Sequence, residues 1–211
     1  MKLTQSQKID QIAKRKIRKK EFFEWLPRRK MTPCFDFINL KSTERLTFEL
    51  MNDENYLEVF ETFKNDMNSF VLKDYKDLEK WEDYVDYQLY WNRLSCKNGG
   101  CDWLIKLKNT QQTVGILNLY ELNRETYNDN HKKCMIGYSI GEAFRRQHYA
   151  TEAVKQLVLH AFEYFDLHTI IANTEKDNLA SKALLTNFGF VEKTEKYYYS
   201  EEHDYFELHK K

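Results

Sequence analysis

Proline and glycine are scarce in this chain, two and six among 211 residues. Such scarcity excludes a loop-rich, collagen-like or low-complexity architecture, and no repeat recurs at any period. No apolar run approaches the roughly 20 residues needed to span a bilayer. The basic N-terminus lacks an apolar core and a small-residue cleavage site, so no secretory signal is expected and the protein reads as cytoplasmic. Neither sign of charge dominates, with 33 Lys/Arg against 33 Asp/Glu. The four cysteines, Cys34, Cys96, Cys101 and Cys134, are scattered. Cys96 and Cys101 have only loose ligand spacing and no second Cys/His pair nearby, which favours free thiols at a turn over a zinc site. No metal is expected.

What is present suits one packed core. Apolar residues make up 42% of the chain and aromatics 15%, enough for a single domain with an appendage. The neutral total hides a segregation. Residues 1–30 hold eleven Lys/Arg against three acids, while 49–86 hold twelve acids against four lysines. Blocks of opposite sign attract one another within or between chains, or each faces its own partner. Ile9, Ile12, Ala13 and Ile17 recur at helical spacing through 4–24, and Pro27 and Pro33 end that helix. Residues 1–42 therefore read as a basic helical arm with its linker, and 43–211 as the domain. Two destinations for the arm stay open. It docks on the chain's own core or on a second copy, as in a homodimer, or residues 1–30 meet RNA or a ribosomal surface through phosphate neutralisation.

Within the domain, period-two and helical patterns alternate. A strand is expected over Arg45–Met51, then an Asn52-Asp53 cap and a helix burying Tyr56, Leu57, Val59, Phe60 and Phe63. A second helix is expected over Asp77–Leu94. Strands follow at Trp103–Lys108, Thr113–Tyr120 and Met135–Ile140, then a helix at Tyr149–Tyr164. Strand Thr169–Asn173, helix Leu179–Asn187 and strands Val191–Tyr198 and Tyr205–Leu208 close the chain. This order predicts an α/β fold of the α+β kind, a mixed sheet with helices on both faces.

The stretch from Ile136 to Phe190 carries the functional signal. Strand Ile136-Gly137-Tyr138-Ser139-Ile140 leads into the basic turn Arg145-Arg146-Gln147-His148-Tyr149-Ala150-Thr151, which feeds the long helix. A basic turn at a helix start aims free N–H groups and the positive dipole end at an anion, the usual way to hold phosphates without a metal. Asn178 with Ser181 and the pair Gly189-Phe190 follow.

In order of elements and in these residues, the chain over roughly 43–209 resembles the Gcn5-related N-acetyltransferase (GNAT) superfamily. It is most similar to the ribosomal-protein alanine N-acetyltransferases. The resemblance implies the acyl-CoA N-acyltransferase fold, acetyl-CoA as cosubstrate, and a central strand splayed from its neighbour. It assigns coenzyme binding to Tyr138, Ser139, Ile140, Arg145, Arg146, Gln147, His148, Tyr149, Ala150, Thr151, Asn178 and Ser181. The family's turn reads Gln/Arg-x-x-Gly-x-Gly/Ala; here His148 stands where glycine is expected and Arg146 where it is common. Asn178 serves as coenzyme contact, helix cap, or both. The tyrosine that many relatives carry on the last helix is replaced by Leu185. Ser181 is the substitute acid that the resemblance suggests, or simply a small residue that lets the helix pack. Glu121 and Glu195 are the candidate bases, or surface carboxylates.

The resulting expectation is direct transfer of acetyl to a primary amine in a ternary complex, the amine being a protein N-terminus. The acidic 49–86 block would wall the acceptor groove and favour a cation. Acetylation of an aminoglycoside or another small amine is the alternative within enzymes. A non-catalytic binding module with the same fold is the alternative outside them.

Overall fold

Apolar residues recurring at period two or near 3.6 decide the elements. The computed structural model describes residues 40–66, 77–86, 99–122, 132–194 and 203–210. The basic arm, Cys34, Cys96, Glu195 and Tyr197–Tyr199 lie outside the described residues. The strands are β1 (Leu46–Leu50), β2 (Cys101–Leu107), β3 (Thr113–Tyr120), β4 (Lys133–Ile140), β5 (Thr169–Glu175), β6 (Val191–Lys193) and β7 (His203–His209). The helices are α1 (Tyr56–Phe63), α2 (Leu78–Asp86), α3 (Tyr149–Tyr164) and α4 (Leu179–Asn187). The strands form one seven-stranded sheet in the order β1-β2-β3-β4-β5-β7-β6. Only β4 and β5 run parallel; the other neighbours are antiparallel.

Helices cover both faces, as the pattern of elements predicts. On one face α3 and α4 bury Val154, Leu157, Ala161 and Leu185 against Trp103, Ile105, Leu117 and Ile136. On the other, α1 and α2 bury Tyr56, Val59, Phe63, Trp81 and Val85 against Leu104 and Ile116. Each large side chain taken fully from water contributes about 1.5–3 kcal/mol, so these two layers dominate the stability. Gly115 marks the tightest strand contact. A Cβ there would lie 2.3 Å from the Ser139 carbonyl oxygen, so no larger residue lets β3 lie against β4.

Two local expectations are corrected. The helix cap expected at Asn52-Asp53 is a turn instead, in which Asn52 Oδ1 accepts from the amides of Glu54 and Asn55. Asn55 is the residue that precedes α1, and its side chain returns to the Asn52 amide at 2.8 Å. The acidic block is less of an outward wall than its charge count suggests. Lys106 Nζ is paired with Glu49 at 2.7 Å and Glu58 at 3.0 Å, Lys64 pairs with Glu61, and buried Glu82 accepts from the Tyr56 phenol. Of these carboxylates, Glu58 ties α1 to β2 and Glu82 ties α2 to α1.

His160 on α3 sits among Trp103, Tyr164 and Phe165, with ring centroids 6.1, 5.0 and 5.6 Å away. Its Nε2 is buried with no hydrogen-bond partner among the described residues. Burial holds its pKa below the usual 6.5; Glu163 opposes that shift and Lys41 adds to it. The unfolded chain therefore takes up a proton that the folded chain refuses. This contribution to stability is whole above pH 6.5 and is lost as pH falls below it toward the lowered folded value. His160→Phe is expected to flatten that acid slope, read as urea midpoints at about pH 7.5 and 5.5. An unchanged slope would place the acid sensitivity elsewhere.

Candidate active site

Strand β4 stays with β3 but leaves β5. Met135–Ile140 pairs with Tyr120–Gly115 throughout, whereas β4 meets β5 only from Lys133↔Thr169 to Ile136↔Ala172. Beyond that rung β5 continues against β7 alone. A wedge therefore opens between the two parallel strands from Gly137 and Asn173 outward, the splay that the resemblance implied. The Gly141 amide donates to the Val114 carbonyl, so strand alternation turns Gly137 and Ser139 toward β3 and Tyr138 and Ile140 toward the wedge. Of the three residues expected to offer free backbone groups there, Ser139 is thus bonded to β3. The Ile140 carbonyl accepts from Arg145 Nε at 3.0 Å. Tyr138 retains an amide and a carbonyl aimed into the gap.

The basic turn follows, through a short 3-10 segment at Glu142–Phe144. Arg146 and His148 adopt φ of 61° and 63°, the left-handed region that favours glycine. The two departures from the family's glycine pattern thus keep the backbone shape glycine would give. Backbone amides from Arg146 to Thr151 bond to no carbonyl among the described residues; the ladder of α3 begins with Glu152 donating to the His148 carbonyl. Successive free amides around left-handed residues make an anion-binding concavity, and the dipole of a 16-residue helix adds to it. The side chains of Arg146, Gln147 and His148 are exposed around it.

Arg145 and Arg45 support this turn from behind. The Arg145 guanidinium is bonded to the carboxylate of Asp66, whose side chain is 2% exposed, just after α1. Its charge is therefore committed to a protein partner, contrary to the expectation that it faces the anion. Arg45 Nη1 donates to the Gln147 carbonyl at 3.0 Å, turning that carbonyl away from the concavity. Its Nε and Nη2 each lie 2.7 Å from Glu152, and the guanidinium covers the Tyr149 ring. Glu152 also accepts from Thr43 and from the Arg45 amide. Burial opposes the Glu152 charge, but these hydrogen bonds outweigh it and hold its carboxyl below the usual range. The charge of an acid in the first turn of α3 is thereby paired with Arg45.

Helix α4 closes the other side of the wedge. Asn178 caps it, its Oδ1 accepting from the Ser181 amide at 3.1 Å. At the far end Gly189, with φ of 89°, lets the Phe190 amide return to the Leu185 carbonyl, and both side chains join the core. With the ends so fixed, Ser181 Oγ lies 2.8 Å from the Tyr138 phenol oxygen, bridging α4 and β4. Burial, partly offset by Ser181, pushes the Tyr138 pKa up to about 12, so the phenol keeps its proton.

Glu121 is buried and left-handed, with φ of 68°, immediately after β3. Its neighbour Tyr120 lies opposite Met135, three residues and roughly 10 Å along the strand from Tyr138. It therefore sits beside the closed part of the β4–β5 pair, while Tyr138 and Ser181 flank the open part. On the α1/α2 face, Asn118 abuts Gly137 and donates to buried Asp102. Sequence reasoning missed Arg45, Asp66, Glu152 and the Tyr138 phenol. Only Glu152 left a signal, an unexplained acid in the first turn of a basic helix start.

Comparison with known proteins identifies the family. A family model for the acetyltransferase (GNAT) domain matches residues 45–191. The uncharacterized N-acetyltransferase YoaA of Bacillus subtilis is 27% identical over 150 residues, covering 70% of this chain and 80% of that protein. An acetyltransferase from Agrobacterium tumefaciens superposes with a TM-score of 0.64 at 19% identity, over 83% of this chain and 96% of that one. RimL, a ribosomal alpha-N-protein acetyltransferase in complex with coenzyme A, superposes with a TM-score of 0.65 at 14% identity, over 82% and 98%. Enzymes of the matched family use acetyl-CoA. Among the described residues no helix is long and apolar enough to cross a membrane. The chain belongs to the GNAT family and is an N-acetyltransferase.

Proposed function

We propose that this enzyme transfers acetyl from acetyl-CoA to a protein N-terminus by direct attack in a ternary complex. The observation that carries the coenzyme assignment is the run of unbonded amides from Arg146 to Thr151 at the mouth of the β4–β5 wedge. Those amides would hold the pyrophosphate, with Arg146 adding charge beside it. The gap beyond Ile136–Ala172 would take the pantetheine arm, paired to the free edge of Tyr138. Bound there, acetyl-CoA supplies an activated carbonyl and a thiolate leaving group. The Tyr138 amide would polarise the carbonyl, the role of an oxyanion hole. As the amine nitrogen bonds to the carbonyl carbon and the carbon–sulfur bond breaks, nitrogen gives up a proton to a base and sulfur gains one. Glu121 and Glu195 remain the proposed bases, through water where they do not reach, and Ser181 the proposed donor to sulfur. Asn178 keeps its amide nitrogen for the coenzyme while its oxygen caps α4.

The likeness to RimL supports a protein N-terminus as acceptor. Asp102 and Asn118 beside Gly137 favour a cationic acceptor on the α1/α2 face, which also suits a small polyamine or an aminoglycoside. Residues 1–30, with their excess of Lys/Arg, are proposed to reach a ribosomal or RNA surface or a second copy of the chain. Thiol release with acetyl-CoA, measured across peptides with free N-termini, spermidine-like polyamines and aminoglycosides, tests the acceptor. Turnover with amines alone would move the assignment to small molecules. Acetyl-CoA binding by calorimetry without turnover of any amine would support a binding module.

A further inference from the structure

Either hydroxyl of the Tyr138–Ser181 contact could donate, and the chemistry of the two favours the phenol. A phenol is a stronger acid than an aliphatic alcohol and so the better donor, and Tyr138 keeps its proton throughout the working range. With Tyr138 donating, Ser181 Oγ accepts and its own hydrogen is left over. A serine in a helix otherwise turns that hydrogen back to a carbonyl one turn earlier. Ser181 makes no such bond; its hydroxyl meets only Tyr138 among the described residues. Its backbone is fixed as well, because its amide is held by Asn178. Both hydroxyls stand beyond the last β4–β5 rung, Tyr138 two residues past Ile136 and Ser181 in the first turn of α4.

We propose that Tyr138 is a positioning residue for the leaving thiol: its phenol donates to Ser181 Oγ and so directs the Ser181 hydrogen into the β4–β5 gap, toward the coenzyme sulfur. The proposal rests on the coenzyme assignment above and extends it to a side chain on β4. It accounts for a chain that lacks a tyrosine at Leu185: a serine alone is a poorly oriented donor, and a phenol behind it supplies the orientation. A donor held on sulfur stabilises the thiolate, so the thiol of bound coenzyme A ionises at lower pH than that of free coenzyme A.

The test uses the full chain with coenzyme A and with desulfo-coenzyme A, which lacks the sulfur. Thiolate ultraviolet absorbance is titrated with pH, and both affinities are measured by calorimetry. In the unaltered protein the bound thiol should titrate about one unit below the free one. Tyr138→Phe should return it to the free value and lower the coenzyme A to desulfo-coenzyme A affinity ratio about tenfold above the thiol pKa, with desulfo-coenzyme A affinity unchanged. Ser181→Ala should do the same, and the double variant should add nothing, because Tyr138 acts through Ser181. A bound thiol that titrates identically in Tyr138→Phe and in the parent overturns the proposal. So does loss of desulfo-coenzyme A binding in Tyr138→Phe, which would make the phenol a strut of the cleft. Failure of the unaltered protein to bind desulfo-coenzyme A would instead overturn the coenzyme assignment itself.

Discussion

Arg145→Glu should unfold the protein far more readily than it weakens coenzyme binding. The guanidinium is the partner of Asp66, whose carboxylate has almost no access to water. A buried carboxylate that loses its cation costs about 3–5 kcal/mol, and a second carboxylate placed against it adds repulsion. Arg145 is itself one-third exposed, which lets water soften the loss, so about 2–4 kcal/mol is expected for Arg145→Ala. Urea denaturation measures both. Asp66→Asn placed on Arg145→Ala should recover part of the loss, since an amide needs no counter-charge. This departs from the turn read as sequence, where the resemblance assigns Arg145 to the coenzyme. Arg145→Glu as stable as the parent but unable to bind acetyl-CoA would restore that reading.

His148→Asp should act on binding and stability in opposite directions. An acid at the residue preceding α3 suits the helix dipole, and aspartate is among the residues that tolerate the left-handed backbone held there. Thermal stability is therefore expected to hold or rise by up to about 1 kcal/mol. The same charge sits among the amides proposed for pyrophosphate. Repulsion of the pyrophosphate by the new carboxylate should weaken acetyl-CoA by about 2–3 kcal/mol, a 30- to 150-fold rise in Kd by calorimetry. His148→Gly is the control. Its left-handed φ costs a non-glycine residue about 1–2 kcal/mol, so glycine should keep or tighten binding with stability near that of the parent after the entropy of a freer unfolded chain is subtracted. A large loss of affinity in His148→Gly would make the imidazole itself a phosphate ligand. Unchanged affinity in His148→Asp would put the phosphates elsewhere.

The family fold was legible because its determinants are local. Period-two apolar residues mark Thr113–Tyr120, and a stripe at Ala153, Val154, Leu157 and Ala161 marks α3, whose limits match the expected Tyr149–Tyr164. The Asn178 cap and the Gly189-Phe190 stop are likewise written in neighbouring residues. The Arg145–Thr151 turn could be read as an anion site from its charge and its place before a helix. Such signals need only the chain within one or two turns of itself.

Only the tertiary structure decided what each charged side chain faces. Arg145 finds Asp66 across 79 positions and Arg45 finds Glu152 across 107, and no periodicity encodes such pairs. The insertion of β7 between β5 and β6 is of the same kind, a choice of neighbour made by the whole sheet. So is the wedge at Tyr138, which exists because β5 keeps its pairing with β7 beyond Ala172 while its pairing with β4 ends there. By itself the sequence determined the elements, the turn and the family. Long-range packing determined which groups are committed to holding that turn and which remain free to meet a ligand. Coulomb attraction and burial act through space, while sequence pattern reports only along the chain.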